Sequence, residues 1–205
     1  MPPTTATSEF LILRKSVFGD AGLVLAGLTP EHGQLHVLWK GARRLGHRHF
    51  PAADLFRLVR LEYRPPGHGD LAAWRGVEPL ADWSALAHDL AAYQAAGRLA
   101  AFALANAPAG LPAPRLFQAL RTALERLATA RAAAIHQATC GVFIQFLDEQ
   151  GWLPDFSADP ARAGRVQALL AMAAGAAPPP PLPPEQWPRI EEWLMRQLRF
   201  HECRL

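Results

Sequence analysis

The sequence predicts an α+β chain in two parts: a small β-barrel over residues 1–80 and an all-helical domain over residues 81–205. Three observations carry this. Five short apolar runs, at 10–15, 23–28, 35–40, 55–63 and 71–78, crowd the first part. Turn chemistry separates them, as in Phe18-Gly19-Asp20, Pro30-Glu31-His32-Gly33 and the stretch 65–70, where Gly supplies positive φ and Pro fixes the entry. Beyond residue 80 the texture turns Ala- and Leu-rich with a helical period.

Strands without intervening helices fit a small closed barrel. The five-stranded OB type is the first choice and an SH3-like barrel the main alternative. In the third run, Leu35, Val37 and Trp39 share one face, and His36 and Lys40 lie on the other. Asp82 is expected to cap a helix running to about residue 106, with Leu86, Leu90, Tyr93, Gly97 and Leu104 inward. The Pro-rich stretch 107–114 ends it. A second helix at 114–130 repeats Leu116, Leu120, Leu124 and Leu127 on one stripe, and a third at 133–150 buries Ile135, Val142, Phe143, Phe146 and Leu147. Asp159-Pro160 opens a short helix to about residue 174. Six prolines within 178–184 read as a stiff polyproline spacer ahead of an amphipathic C-terminal helix over 185–203.

Half of the 205 residues are hydrophobic, enough for a proper core. The net charge of +3 is unevenly placed: residues 1–76 hold 10 Lys and Arg against 6 Asp and Glu. The basic excess of the first third suggests an anionic partner. Two cysteines, Cys140 and Cys203, are too few for a disulfide framework and fit a reducing interior. The polar start, residues 1–8, does not read as a signal peptide, and the longest uncharged stretch, 99–114, is broken by Pro108, Gly110, Pro112 and Pro114. A cytoplasmic protein is expected.

The densest signal is the run 39–49, Trp-Lys-Gly-Ala-Arg-Arg-Leu-Gly-His-Arg-His, which lies in an acid-free stretch between Glu31 and Asp54. Charge that displaces counterions and flat rings on which bases stack are what a polyanion backbone needs. Lys40, Arg43, Arg44 and Arg48 are the leading phosphate-contact candidates. Arg14, Lys15, Arg57 and Arg60 on neighbouring strands could widen the track. Trp39 and Trp74 offer stacking, although a strand tryptophan in a small barrel is more often core. Four phosphate contacts on a single strand imply a log–log salt slope of about −2.8. A charge run that is merely a solvated loop is the duller reading.

No metal or catalytic site emerges. His47 and His49 lack a third ligand, and His136 with Cys140 lacks further soft ligands, so a helix-face histidine and a buried thiol are expected. Glu191 and Glu192 diverge on a helix, and no phosphate loop, nucleophile elbow or His-Glu-x-x-His is present.

The ordered series Phe10-Leu11-Ile12-Leu13-Arg14, Gly19-Asp20, Leu23-Val24-Leu25, Thr29-Pro30-Glu31-His32-Gly33 and Lys40-Gly41-Ala42-Arg43 resembles the RecO family of DNA repair proteins. The likeness covers the barrel and extends more loosely to Gly151-Trp152-Leu153-Pro154. Two departures stand out. The acid that usually follows the Gly-acid turn is missing in Asp20-Ala21-Gly22-Leu23. Many members hold a four-cysteine zinc site after the Gly-x-x-Pro step, whereas here residues 155–159 read Asp-Phe-Ser-Ala-Asp. The metal is therefore not carried over, no cofactor is expected, and Phe156 and Trp152 are expected to hold the shortened connection by packing.

The resemblance implies a non-catalytic recombination mediator. It would bind single- and double-stranded DNA, anneal strands, and contact the acidic C-terminal tail of single-strand-binding protein. With a RecR-type partner it would help load recombinase, in the cytoplasm at the nucleoid and with no membrane role. The barrel would carry nucleic acid and the helical domain the acidic tail. Such a peptide needs Arg beside an apolar groove. Arg121, Arg126, Arg196 and Arg199 are candidates, with Arg115 and Arg131 beside them; solvent-facing helix charge is their plainer explanation. The rival readings are a generic OB nucleic-acid module and a protein-interaction scaffold without DNA binding.

Overall fold

The computed structural model describes residues 5–42, 53–67, 69–129 and 133–205. The chain forms two compact units, Met1–Ser84 with Ala107–Pro114, and Ala85–Asn106 with Arg115–Leu205. The strand pattern closes as expected into an OB-type barrel of β1 (Ala6–Phe18), β2 (Gly22–Thr29), β3 (Gly33–Trp39), β4 (Arg57–Arg64) and β5 (Leu71–Asp82). The strands run in the order β1-β2-β3-β5-β4, with β3 and β5 parallel and the other pairs antiparallel. Alternation places Phe10, Ile12, Leu23, Leu25, Val37, Val59 and Leu61 in one buried cluster.

The Thr29–Gly33 turn explains its own composition. Thr29 Oγ1 accepts the His32 N–H (3.1 Å) and donates to the Gly33 carbonyl (3.2 Å), and Ser8 Oγ donates to Glu31 (2.5 Å). Gly33 has φ +60°, and a Cβ there would stand 2.3 Å from the Pro108 carbonyl oxygen. That absence of a side chain lets Ala107–Pro114 lie along the turn. Gln34 N–H donates to Pro108, Gly110 N–H to His32, and Ala113 N–H to Pro30. The Pro-rich stretch is thus part of the barrel unit as well as a helix terminator.

Asp82 does not cap the first helix. The β5 strand runs on to that residue, whose carboxylate accepts the Ser84 N–H and pairs with Arg57. A 3-10 turn follows at Ser84–His88, and Asp89 caps α1 (Leu90–Asn106) by accepting the Ala91 and Ala92 N–H groups. The inward stripe also differs from the expectation: Leu90 and Tyr93 are exposed, and Ala92, Ala95, Ala96, Leu99, Phe102 and Ala103 are buried.

The helical unit continues with α2 (Pro114–Thr129), α3 (Ala133–Glu149), α4 (Pro160–Ala173) and α5 (Gln186–Phe200). Glu149 at the end of α3 accepts the Arg115 and Leu116 N–H groups, so it neutralises the positive end of α2 from another helix. Asp159 caps α4. Phe102, Phe143 and Phe146 form an aromatic centre, with the Phe102 and Phe143 centroids 4.8 Å apart. Around residues 155–159, Trp152 stacks on His201 at 4.4 Å and Phe156 leans on Trp193. Among the described residues no helix is long and apolar enough to cross a membrane.

Candidate nucleic-acid interface

A β-bulge sets the charge of the barrel's outer face. Phe10 and Ile12 point inward, so strict alternation would send Arg14 inward too. The register shifts between Ile12, opposite Gly27, and Arg14, opposite Ala26; Leu13 is the extra residue and Arg14 emerges exposed. Ala26 in turn pairs with His36, which aligns Arg14, Ala26 and His36 in one row across three strands. Burial lowers the His36 pKa first, the Arg14 charge lowers it further, and Asp70 opposes both. Gln34 Nε2 sits 2.9 Å from His36 Nε2.

Lys40 follows the end of β3 and is exposed. Neither Arg14 nor Lys40 makes an ion pair or side-chain hydrogen bond among the described residues. Arg43, Arg44 and Arg48, with His47 and His49, lie outside the described residues.

Three of the flanking cations differ from the expectation of an open track, because the protein's own carboxylates hold them. Lys15 Nζ reaches Asp54 at 2.6 Å, Arg57 reaches Asp82 at 3.1 Å, and Arg60 reaches Glu78 at 2.6 Å. Burial would raise the Asp54 pKa, but hydrogen bonds from Lys15 and the Leu55 N–H and the charges of Lys15 and Arg57 hold it below the usual range. Trp39 is corrected as well: its ring is 5 % exposed and stacks on Trp74, which leaves no open face for a base. Sequence reasoning passed over Arg64 and Arg75, which are exposed and have no ion-pair partner among the described residues.

The helical unit sorts its cations similarly. Arg121 pairs with Glu125 one turn on, and Arg196 lies 3.8 Å from Glu192. Arg126 donates to the Met172 and Ala177 carbonyls, which ties α2 to the chain entering the polyproline segment. Arg199 is exposed, Arg115 pairs with Asp148, and Arg131 lies outside the described residues. A groove of about 480 Å³ involving α4 and α5 was missed; Phe156, Val166 and Trp193 line it together with Arg162, Arg165 and Arg189. No stretch of sequence brings these six together, since they come from two helices and a loop. His136 meets Glu191 at 2.6 Å, and the Cys140 thiol is buried with its pKa raised by that burial. Both residues of that pair therefore read as structural.

Among the described residues, a closed OB-type barrel is followed by a unit of five α-helices, which defines an OB-fold protein with an appended helical domain. Residues 87–168 match the family model described as recombination protein O C terminal. The chain is 28 % identical over 120 residues to the DNA repair protein RecO of Geobacter metallireducens, covering 58 % of this chain and 48 % of that protein. It is 27 % identical over 150 residues to that of Syntrophobacter fumaroxidans, covering 73 % and 58 %. With the Exiguobacterium sibiricum protein it shares 30 % over 83 residues, 40 % of this chain and 32 % of that one. Over these residues the chain is similar to proteins of the RecO family. The matches span about half the length of the first two of these relatives.

Proposed function

We propose that the protein is a non-catalytic, zinc-free mediator of DNA repair and recombination. Its barrel binds single- and double-stranded DNA, and it anneals complementary strands. The observation that carries this reading is the joint one: a chain similar to RecO proteins whose OB barrel turns Arg14 outward and leaves Lys40 exposed at the head of the cationic run. In this reading the run 40–48 grips phosphates, and Arg64 and Arg75 add to the basic surface.

The helical unit takes the acidic C-terminal tail of single-strand-binding protein, and a RecR-type partner completes recombinase loading in the cytoplasm. The Arg-lined groove supports this part better than Arg121, Arg126 and Arg196, whose heads are already engaged. An apolar floor suits an aromatic side chain, and guanidinium groups suit carboxylates. The test is annealing of complementary oligonucleotides coated with single-strand-binding protein. The protein should accelerate annealing, and a coat lacking its acidic tail should abolish the acceleration. No acceleration on either coat, or on bare strands, would overturn the proposal.

A further inference from the structure

The hairpin joining β1 to β2 carries an aromatic ring where a soluble barrel has no structural need for one. Phe18 ends β1 and is 50 % exposed, beside Val17 at 64 %. Its register partner is Gly22; the neighbouring Leu23 pairs with Trp39, the last residue of β3, and the exposed Lys40 follows Trp39 directly. Phe18 and Gly22 therefore pair on the face opposite Val17 and Leu23, and Lys40 stands one residue beyond the Leu23–Trp39 pair at the same end of the barrel.

Gly22, beside Phe18, has no side chain, and the backbone requires this. A Cβ at Gly22 would stand 2.6 Å from the Phe18 carbonyl oxygen, a distance that admits no substituent. It would also stand 3.5 Å from Phe18 Cδ1, so the ring leans over Gly22. Two strand spacings separate the Phe18 and Lys40 backbones, about 10 Å. The turn between the two strands carries one acid, Asp20.

We infer that Phe18 is a base-stacking residue: with Lys40 it forms a one-nucleotide station for single-stranded nucleic acid, base on the ring and phosphate on the ammonium. This rests on the DNA-binding reading above and adds a residue to it. The β1–β2 loop is one of the two that OB folds use for oligonucleotides. Stacking on an aromatic side chain is sequence-tolerant, because every base has a π-face, and it needs bases freed from a duplex. The ring that serves is the exposed one, not the buried Trp39.

The test is anisotropy with a single-stranded and a double-stranded oligonucleotide across a salt series, for wild type, Phe18→Ala, Phe18→Leu, Phe18→Trp and Lys40→Ala. Phe18→Ala should weaken single-strand binding roughly 5- to 100-fold and leave the salt slope and duplex affinity unchanged. Phe18→Leu should behave like Phe18→Ala, since apolar area without a π-face does not stack, and Phe18→Trp should restore binding. Lys40→Ala should make the slope shallower by about 0.7. Unchanged melting curves confirm that a half-exposed ring is not holding the barrel. Equal loss on both oligonucleotides, full activity of Phe18→Leu, or no effect of Phe18→Ala overturns the station alone. Wild-type protein that binds neither oligonucleotide overturns the DNA-binding reading itself.

Discussion

The indoles of Trp39 and Trp74 stack face to face inside the barrel, 4.4 Å between centroids and 3° from parallel. Trp39 closes β3, Trp74 lies on β5, and the two strands run parallel to each other. The pair therefore bolts the parallel β3–β5 seam, where ladder bonds are somewhat weaker than in antiparallel pairs.

Trp39→Ala should accordingly destabilise the barrel by about 3–5 kcal/mol, the usual cost of deleting a large buried aromatic. Urea unfolding followed by circular dichroism reads this. Trp39→Phe should recover much of the loss and bind DNA with the wild-type salt slope. Weakened DNA binding in a fully stable Trp39→Ala variant would mean that the ring meets nucleic acid after all.

His36 and Arg14 are coupled through the outer-face row. The His36 pKa lies below its ordinary value, so between the two values the unfolded chain binds the extra proton. The barrel thus gains stability as pH rises through the window below 6.5 and loses it as pH falls. Arg14→Ala removes one cause of the shift, so the imidazole pKa should rise and the pH dependence of stability should flatten. An imidazole titration by NMR checks this. A phosphate bound at Arg14 should raise the same pKa in wild type, and a titration unmoved by saturating oligonucleotide would place the strand elsewhere.

The helical groove makes a separate prediction. Arg165→Ala with Arg189→Ala should weaken an acidic, Phe-terminated peptide about 100-fold or more, because each of the two lost charge-assisted bonds is worth ~1.5–3 kcal/mol. Arg121→Ala, whose guanidinium already meets Glu125, should leave peptide affinity unchanged. Isothermal titration calorimetry separates the two sets, and the reverse pattern would move the peptide to α2.

The barrel was legible because short apolar runs parted by Gly- and Pro-bearing turns are local signals that tertiary packing had no reason to override. The inward face of α1 was not, because large residues were read as the core. Leu90 and Tyr93 point outward, and Ala92, Ala95 and Ala96 let neighbouring backbone come close. The helix start was misplaced because Asp82 and Asp89 both precede Ala- and Leu-rich residues, and only pairing to β4 assigns the first to a strand. The cationic track was half legible. Lys15, Arg57 and Arg60 find their carboxylates 39, 25 and 18 residues away, which no run of sequence displays. Arg14 was found on the outer face for a reason the sequence hides, the extra residue Leu13.

The central claim is that the basic edge headed by Lys40 grips a sugar-phosphate chain, and salt tests it most directly. Single-strand affinity measured from 50 to 200 mM salt should fall about 50-fold, a slope near −2.8 for four contacts. Replacing Lys40, Arg43, Arg44 and Arg48 together with Ala should flatten the slope while the barrel stays folded. Affinity that barely changes over that range, or a slope that survives the fourfold replacement, would contradict the account.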